Sequence, residues 1–250
     1  MKQQNKIQLP QIISVTPLQR LVQGGEIYLV NMDSSVYVYE YLDESCDIQV
    51  SGCAIYSYLD KFILVLPDDT YQRRMIWEYI YKNYAKDYEE MIDQKHNLQC
   101  IQYMLNILQR EKYNEVLNVL DFGCGTGLSS NADFIGQIYG YDINESMRKI
   151  ACEKGMKVLT EEDFWNLPAE CFQGVLASYA LHMAVSESEL DRIVSILINK
   201  GLLVANFYKG IDCERVTEKL VGMNMVIEEK EENRGFGQIY VYRKHCERGF

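Results

Sequence analysis

The chain has 250 residues, 48% of them hydrophobic and 24% charged, which suits one globular domain with an embellishment or two small domains. A formal net charge of −11 disfavours a phosphate backbone as partner, and the densest basic runs, Arg73-Arg74 and Arg243-Lys244-His245, are short and flanked by acids. No apolar run approaches the ~18 residues that cross a membrane, and none of the eight cysteines forms the C-x-x-C pair of a zinc site or a compact disulfide framework.

The N-terminal "MKQQNKIQLPQIISV" lacks the apolar centre of a secretory leader, so a cytoplasmic protein with ordinary thiols and no bound metal is expected. Residues 26–66 read as short strands: "EIYLVNM", "VYVYEYL", "DIQVSGCAIYSYL" and "KFILVL", with "DSS" and "DES" separating the first three. Val36, Val38 and Glu40 alternate with Tyr37, Tyr39 and Tyr41, a period of two that puts tyrosine on one face. Eleven of the 19 tyrosines lie before residue 90. Residues 1–69 are therefore expected to form a small antiparallel meander.

After Pro67-Asp68-Asp69-Thr70, apolar or aromatic residues at Ile76, Ile80, Tyr84 and Tyr88 mark a helix. A second helix is predicted from Asp93, a suitable N-cap, to about Arg110. Residues 70–115 then form a helical cap or lid. From Val116 the texture changes. "VLNVLDFG", "QIYGYDI", "MKVLTEED", "GVLASYAL" and "GLLVANFY" alternate with helical segments, the pattern of a parallel sheet covered on both faces. "MVIEEKE" and "GQIYVYRK", joined by the turn-like "ENRGF", read as a hairpin ending that sheet with one antiparallel strand.

The stretch "VLDFGCGTG" packs Gly123, Gly125 and Gly127 behind a strand. Glycines there allow a sharp turn and a close approach of ligand to backbone. The dinucleotide fingerprint would need a glycine at 128, where the residue is Leu128, and the phosphate loop would need a following lysine, which is absent. An acid then closes the next strand at Asp142, 19 residues past Gly123.

"VLDFGCGTG" resembles the first signature of the class I S-adenosylmethionine-dependent methyltransferases, of small-molecule type. "YGYDINESMRKIA" is similar to the second, ending its strand on Asp142. "EEDFWNLP" matches the third through Asp163, Leu167 and Pro168. "FQGVLASYALHM" and "ILINKGLLVANFY" resemble the fourth and fifth. The likeness spans about 116–243. Gln173 stands where an aspartate is common, and Lys200-Gly201 replaces a Pro-Gly-Gly turn. The resemblance implies an α/β Rossmann-like core over 116–250, a seven-stranded, mostly parallel methyltransferase sheet whose last strand is antiparallel, behind a β-rich and helical N-terminal extension.

It also implies S-adenosyl-L-methionine as cofactor. Asp121 would counter its ammonium and the backbone of Phe122, Gly123, Cys124, Gly125 and Gly127 would cradle its methionine part. Asp142 would hold the ribose hydroxyls. Asp163 would accept the adenine amino group, with Phe164 or Ile143 against the ring. Asp163 could equally belong to a solvated acidic turn, since Glu161 and Glu162 adjoin it. "WEYIYKNYAKDYEEM" is similar to the helix that folds over the cofactor in many relatives. Tyr84 and Tyr88 are its candidates, with Glu89 where an aspartate is usual; a plain amphipathic helix would give the same stripe. His182 and Tyr179, after the fourth strand, are the candidate catalytic residues, although the "LHM" position often only packs. The acceptor is expected to be a small molecule, with no nucleic acid and no membrane as partner. The alternatives are a peptide or protein methyltransferase recognising substrate through residues 1–70, and a non-catalytic binding subunit.

Overall fold

The structure, a computed structural model, describes residues 27–32, 34–40, 53–58, 62–67, 70, 74, 77–78, 81–82, 85–86, 88–110, 115–207, 212–233 and 235–245. The chain divides into two compact units, Met1–Ile80 and Tyr81–Phe250.

In the first unit, β1 (Ile27–Met32), β2 (Ser34–Glu40), β3 (Cys53–Tyr58) and β4 (Phe62–Pro67) form an antiparallel sheet in the order β1-β2-β4-β3. It is two hairpins joined side by side and departs from a meander, because β4 lies between β2 and β3. Tyr37 pairs with Leu29 on one side and Val65 on the other, and Tyr39 with Ile27 and Ile63. β4 reads "FILVLP", the most continuous apolar run of the four, and takes an interior place; the more polar "CAIYSY" of β3 takes the edge. Most of the predicted helix after Thr70 lies outside the described residues, as does Tyr84. Within it, Arg74 Nε reaches Glu78 at 2.9 Å, the one-turn spacing of a helix.

The second unit carries a single helical turn α1 (Tyr88–Met91), then α2 (Gln94–Gln109). Asp93 caps α2 by accepting the His96 N–H at 2.9 Å, as its residue type predicts. β5 (Leu117–Phe122), β6 (Gly136–Tyr141), α3 (Glu145–Glu153), β7 (Lys157–Val158), α4 (Glu161–Asn166), β8 (Phe172–Ala177), α5 (Glu187–Ile196) and β9 (Leu197–Phe207) follow. α6 (Cys213–Gly222) and the hairpin β10 (Met225–Asn233) and β11 (Gly237–Lys244) complete it. The seven strands run in the order β10-β11-β9-β8-β5-β6-β7. β5 to β9 pair in parallel, and β11 is antiparallel to both β9 and β10.

Alternation along the strands fills both faces. Leu117, Val119, Leu176, Leu202, Val204, Ile239 and Val241 pack with Cys100, Met104, Leu105 and Leu108 of α2 and Ala151 of α3. Leu120, Val175, Leu203, Ala205, Tyr240 and Tyr242 face the opposite way, onto Leu190 and Ile193 of α5 and Val216 and Leu220 of α6. Each such large apolar side chain contributes roughly 1.5–3 kcal/mol on burial, which explains why the strands read as near-continuous apolar runs. The chain leaves β5 toward β6 and β7 on one side, then returns to β8 and β9 on the other. The order reverses beside β5, and its carboxyl end opens onto the crevice where α/β sheets bind ligands.

Candidate functional site

The loop after β5 turns on three glycines in the left-handed region, with φ of 76°, 53° and 84° at Gly123, Gly125 and Gly127. Two are demanded by packing. A Cβ on Gly123 would lie 2.5 Å from Ala180 Cβ, and one on Gly127 would lie 2.9 Å from Ala151 Cβ on α3. Gly125 is different: a Cβ there would meet only the Tyr88 ring, at 3.8 Å. Among the described residues, nothing else comes within 4 Å of that position.

Asp142, half-buried past the end of β6, accepts the Gly125 N–H at 2.9 Å and the Asn144 N–H at 2.8 Å, one on each carboxylate oxygen. It ties the glycine loop to the start of α3, where Asn144 is the N-cap. Arg148 Nη1 donates to the backbone carbonyls of Asp142 and Ile143 and holds this turn from the helix side. Burial raises the Asp142 carboxyl above its ordinary range, partly offset by the two N–H donors and Arg148. Asp121, at the end of β5, is buried and accepts the Ser129 hydroxyl. Burial, and the nearby Asp142 charge, push it up to about 7 against that hydroxyl.

Tyr88 lies over this loop. Its ring stands edge-on to Tyr81, with centroids 5.7 Å apart, and the Tyr81 hydroxyl contacts Met183 Sδ at 3.9 Å. Burial, Asp142 and Glu89 push the Tyr88 phenol up to about 12, so it is a neutral donor at physiological pH. Beside it, Glu89 Oε1 accepts the Thr126 hydroxyl at 2.6 Å and pairs with Lys154 Nζ at the end of α3. Partial burial opposes the Glu89 charge, but these two donors outweigh it and hold the carboxyl below its ordinary value.

Tyr179 and His182 follow β8. Tyr179 is half-buried with a φ of 54°, and its N–H donates to Asn206 Oδ1 at 2.6 Å. Asn206, fully buried near the end of β9, also donates to the Phe236 carbonyl at 2.9 Å. His182 is buried, and its Nδ1 has no hydrogen-bond partner among the described residues. Burial pushes it down to about 4, so the imidazole is uncharged at neutral pH. Met183 links this turn to Tyr81 and through it to Tyr88.

The structure thus brings Asp121, Gly123, Gly125, Gly127, Asp142 and Tyr88 around one crevice, with Ile143 exposed at its rim. Phe122 and Cys124 turn their side chains inward. The Phe122 ring packs on Tyr141 and Phe164, the Cys124 side chain is buried, and Gly123 and Cys124 N–H both donate to the Tyr141 carbonyl. Phe164 lies stacked on Tyr141 at 4.0 Å with no exposed surface, so the ring available to flank a ligand at this rim is not Phe164. Asp163 is exposed and turns Oδ2 to Thr160 in a capping box that starts α4, leaving Oδ1 to solvent. Thr126, Lys154 and Asn206 escaped the sequence reading because each acts through a partner far along the chain, and Ser129 and Arg148 because their nearby partners are set by how the turns after β5 and β6 fold. Gln173, the first departure from the usual pattern, accepts the Asn118 N–H at 2.7 Å, well away from the crevice.

Residues 120–205 match the family model described as a methyltransferase domain. Among solved structures, the chain is similar to magnesium protoporphyrin IX methyltransferase from Synechocystis PCC 6803 with bound S-adenosylmethionine. The identity is 16% and the TM-score 0.52, over 69% of this chain and 97% of that one. The same enzyme with bound S-adenosylhomocysteine gives a TM-score of 0.51 at 16% identity, over 69% and 99%. An S-adenosylmethionine-dependent methyltransferase from Aquifex aeolicus gives 0.45 at 19% identity, over 61% and 98%. A comparison of the sequence with curated proteins gives no match. Among the described residues no helix is long and apolar enough to cross a membrane.

Proposed function

We propose that this chain, whose residues 120–205 form a methyltransferase domain, transfers a methyl group from S-adenosylmethionine to a small-molecule acceptor. One observation carries most of the reading: the Gly125 N–H and the Asp142 carboxylate meet across the ends of β5 and β6, where, among the described residues, a Cβ on Gly125 would come within 4 Å of the Tyr88 ring alone. The donor set fits an S-adenosyl group, which has an ammonium and a diol but no phosphate to require a lysine. Bound there, S-adenosylmethionine supplies a methyl group on a sulfonium.

The chain's own residues supply binding and order. Asp121 counters the ammonium. Each Asp142 oxygen accepts only one N–H, which leaves lone pairs for two ribose hydroxyls. Ile143, exposed beside it, offers an apolar face to the adenine, and Asp163 Oδ1 is the acceptor left for its amino group. Tyr88 closes the room above Gly125. Tyr179 and the neutral His182 lie on the acceptor side, and His182 can take a proton there only weakly. Holding two reactants in line can account for much of such an acceleration without a dedicated base. The chain's net charge of −11 supports a neutral or cationic small acceptor over a polyanion.

Titration calorimetry tests the cofactor directly. Binding of S-adenosylmethionine is expected, and none at millimolar ligand would sink the reading. The same titration near pH 7 should release a fraction of a proton, detected from buffers of different ionisation enthalpy. Asp121 is about half protonated there in the free protein, and an adjacent ammonium favours its carboxylate. The unfolded chain loses this proton near pH 4 while the folded chain keeps it to about 7. Asp121 therefore lowers the stability of the free protein as pH rises through that window. His182→Ala is expected to slow turnover less than ~100-fold; a larger loss with cofactor affinity intact would make His182 a general base.

A further inference from the structure

The turn that carries Tyr88 is only four residues long, and a helix that short does not hold itself in place. Among the described residues, the turn is attached to the rest of the unit chiefly through Glu89, apart from Tyr88 itself. The Glu89 carboxylate joins two elements that flank the crevice: Thr126 in the glycine loop, which is buried, and Lys154 at the C-terminal end of α3. The Glu89 backbone carbonyl accepts Gln94 Nε2 at 2.9 Å, fixing the turn to the start of α2. The Tyr88 ring is the described group nearest the open side of Gly125, 3.8 Å from where a Cβ would lie, so a ligand placed against the Gly125 backbone would lie against this turn.

Building on the reading of the site as a nucleoside-sulfonium pocket, we infer that Glu89 is a positioning residue that latches Tyr88 over the glycine loop and sets how fast cofactor and product exchange. Glu89 does not touch the ligand; it acts through Tyr88. Its contribution to global stability is small, because a partly exposed ion pair contributes little to folding. Its contribution to local opening is larger, because the turn has few other attachments among the described residues.

Two measurements separate the latch from the site it guards. Hydrogen exchange at the amides of Tyr88–Met91 in the ligand-free protein is expected to accelerate roughly tenfold in Glu89→Ala, with the melting temperature nearly unchanged. Stopped-flow dissociation of S-adenosylhomocysteine should accelerate by a similar factor. Glu89→Gln keeps an acceptor for Thr126 but loses the ion pair, so it should match Lys154→Met. Both should show a milder gain, about threefold, and a weaker salt dependence of the dissociation rate than the wild type. The double variant Glu89→Gln/Lys154→Met should be no worse than either alone. Exchange and dissociation within about twofold of wild type in Glu89→Ala would overturn the latch. Accelerated exchange in a protein that binds no S-adenosylhomocysteine would leave the latch standing and remove the reading of the pocket beneath it.

Discussion

Asp142→Ala is expected to weaken binding of S-adenosylmethionine and S-adenosylhomocysteine by at least ~10-fold, because charge-assisted hydrogen bonds to the ribose are lost. The geometry makes this a lower bound. The same carboxylate also accepts the N–H groups of Gly125 and Asn144, so its removal leaves two backbone donors unpaired and frees the glycine loop from α3. Asp142→Asn is no gentler: an amide has only one acceptor oxygen, and its NH₂ group would face an N–H donor. The pH dependence follows the same group. Burial raises the Asp142 pKa, so affinity should fall on acidification at a higher pH than an ordinary aspartate would give. Calorimetry across an acidic pH series measures both effects. Affinity unchanged in Asp142→Ala would mean that the ribose lies elsewhere.

The second large effect separates two glycines that look alike in the sequence. Gly123→Ala places a Cβ 2.5 Å from Ala180 Cβ on a backbone at φ 76°. Left-handed backbone costs roughly 1–2 kcal/mol and overpacking typically ~1–3 kcal/mol, so a loss of about 2–5 kcal/mol in denaturant unfolding is expected. Gly125→Ala has a φ of 53° and meets nothing nearer than the Tyr88 ring at 3.8 Å, so only the backbone term of about 1 kcal/mol remains. Its effect should instead fall on cofactor affinity, because the new methyl group occupies ligand room. A well-folded Gly125→Ala protein that binds cofactor as well as the wild type would show that this room is not the binding site.

The core was legible because its signals are local and repeated. Runs such as "GVLASYAL" are apolar on both faces, since Val175 and Ala177 pack one way and Leu176 the other. Asp93 announced the start of α2 by residue type alone. The N-terminal sheet was harder. Its strands were visible, but the choice of β4 over β3 as partner of β2 depends on long-range pairing that no local turn encodes. At the site, the two acids at strand ends were readable and their ties were not. Glu89, Thr126 and Lys154 meet only because α1, the glycine loop and α3 converge. Asp163 has a structural role that was also in plain view, through its other oxygen. Thr160-Glu161-Glu162-Asp163 has the spacing of a capping box, with Asp in place of the usual Glu or Gln, and the carboxylate serves that cap. Phe164 adjoins an acid in sequence, yet it stacks inward on Tyr141, where burial of a large ring outweighs a place at the rim.

The position of β11 has a consequence for how the protein is made. It is the last of the described strands in chain order, yet it lies between β9 and β10 and pairs with both along most of its length. During synthesis β9 presents one open edge until residues up to Lys244 have left the ribosome, and β10 has no neighbour on which to dock. The sheet therefore closes late, through contacts with sequence neighbours and with a strand some 30 residues upstream, a step that proceeds slowly in topologies of high contact order. In that interval the nascent chain displays the unpaired backbone edge of β9 with its apolar side chains, which is where a chaperone would hold it and where two unfinished copies would aggregate.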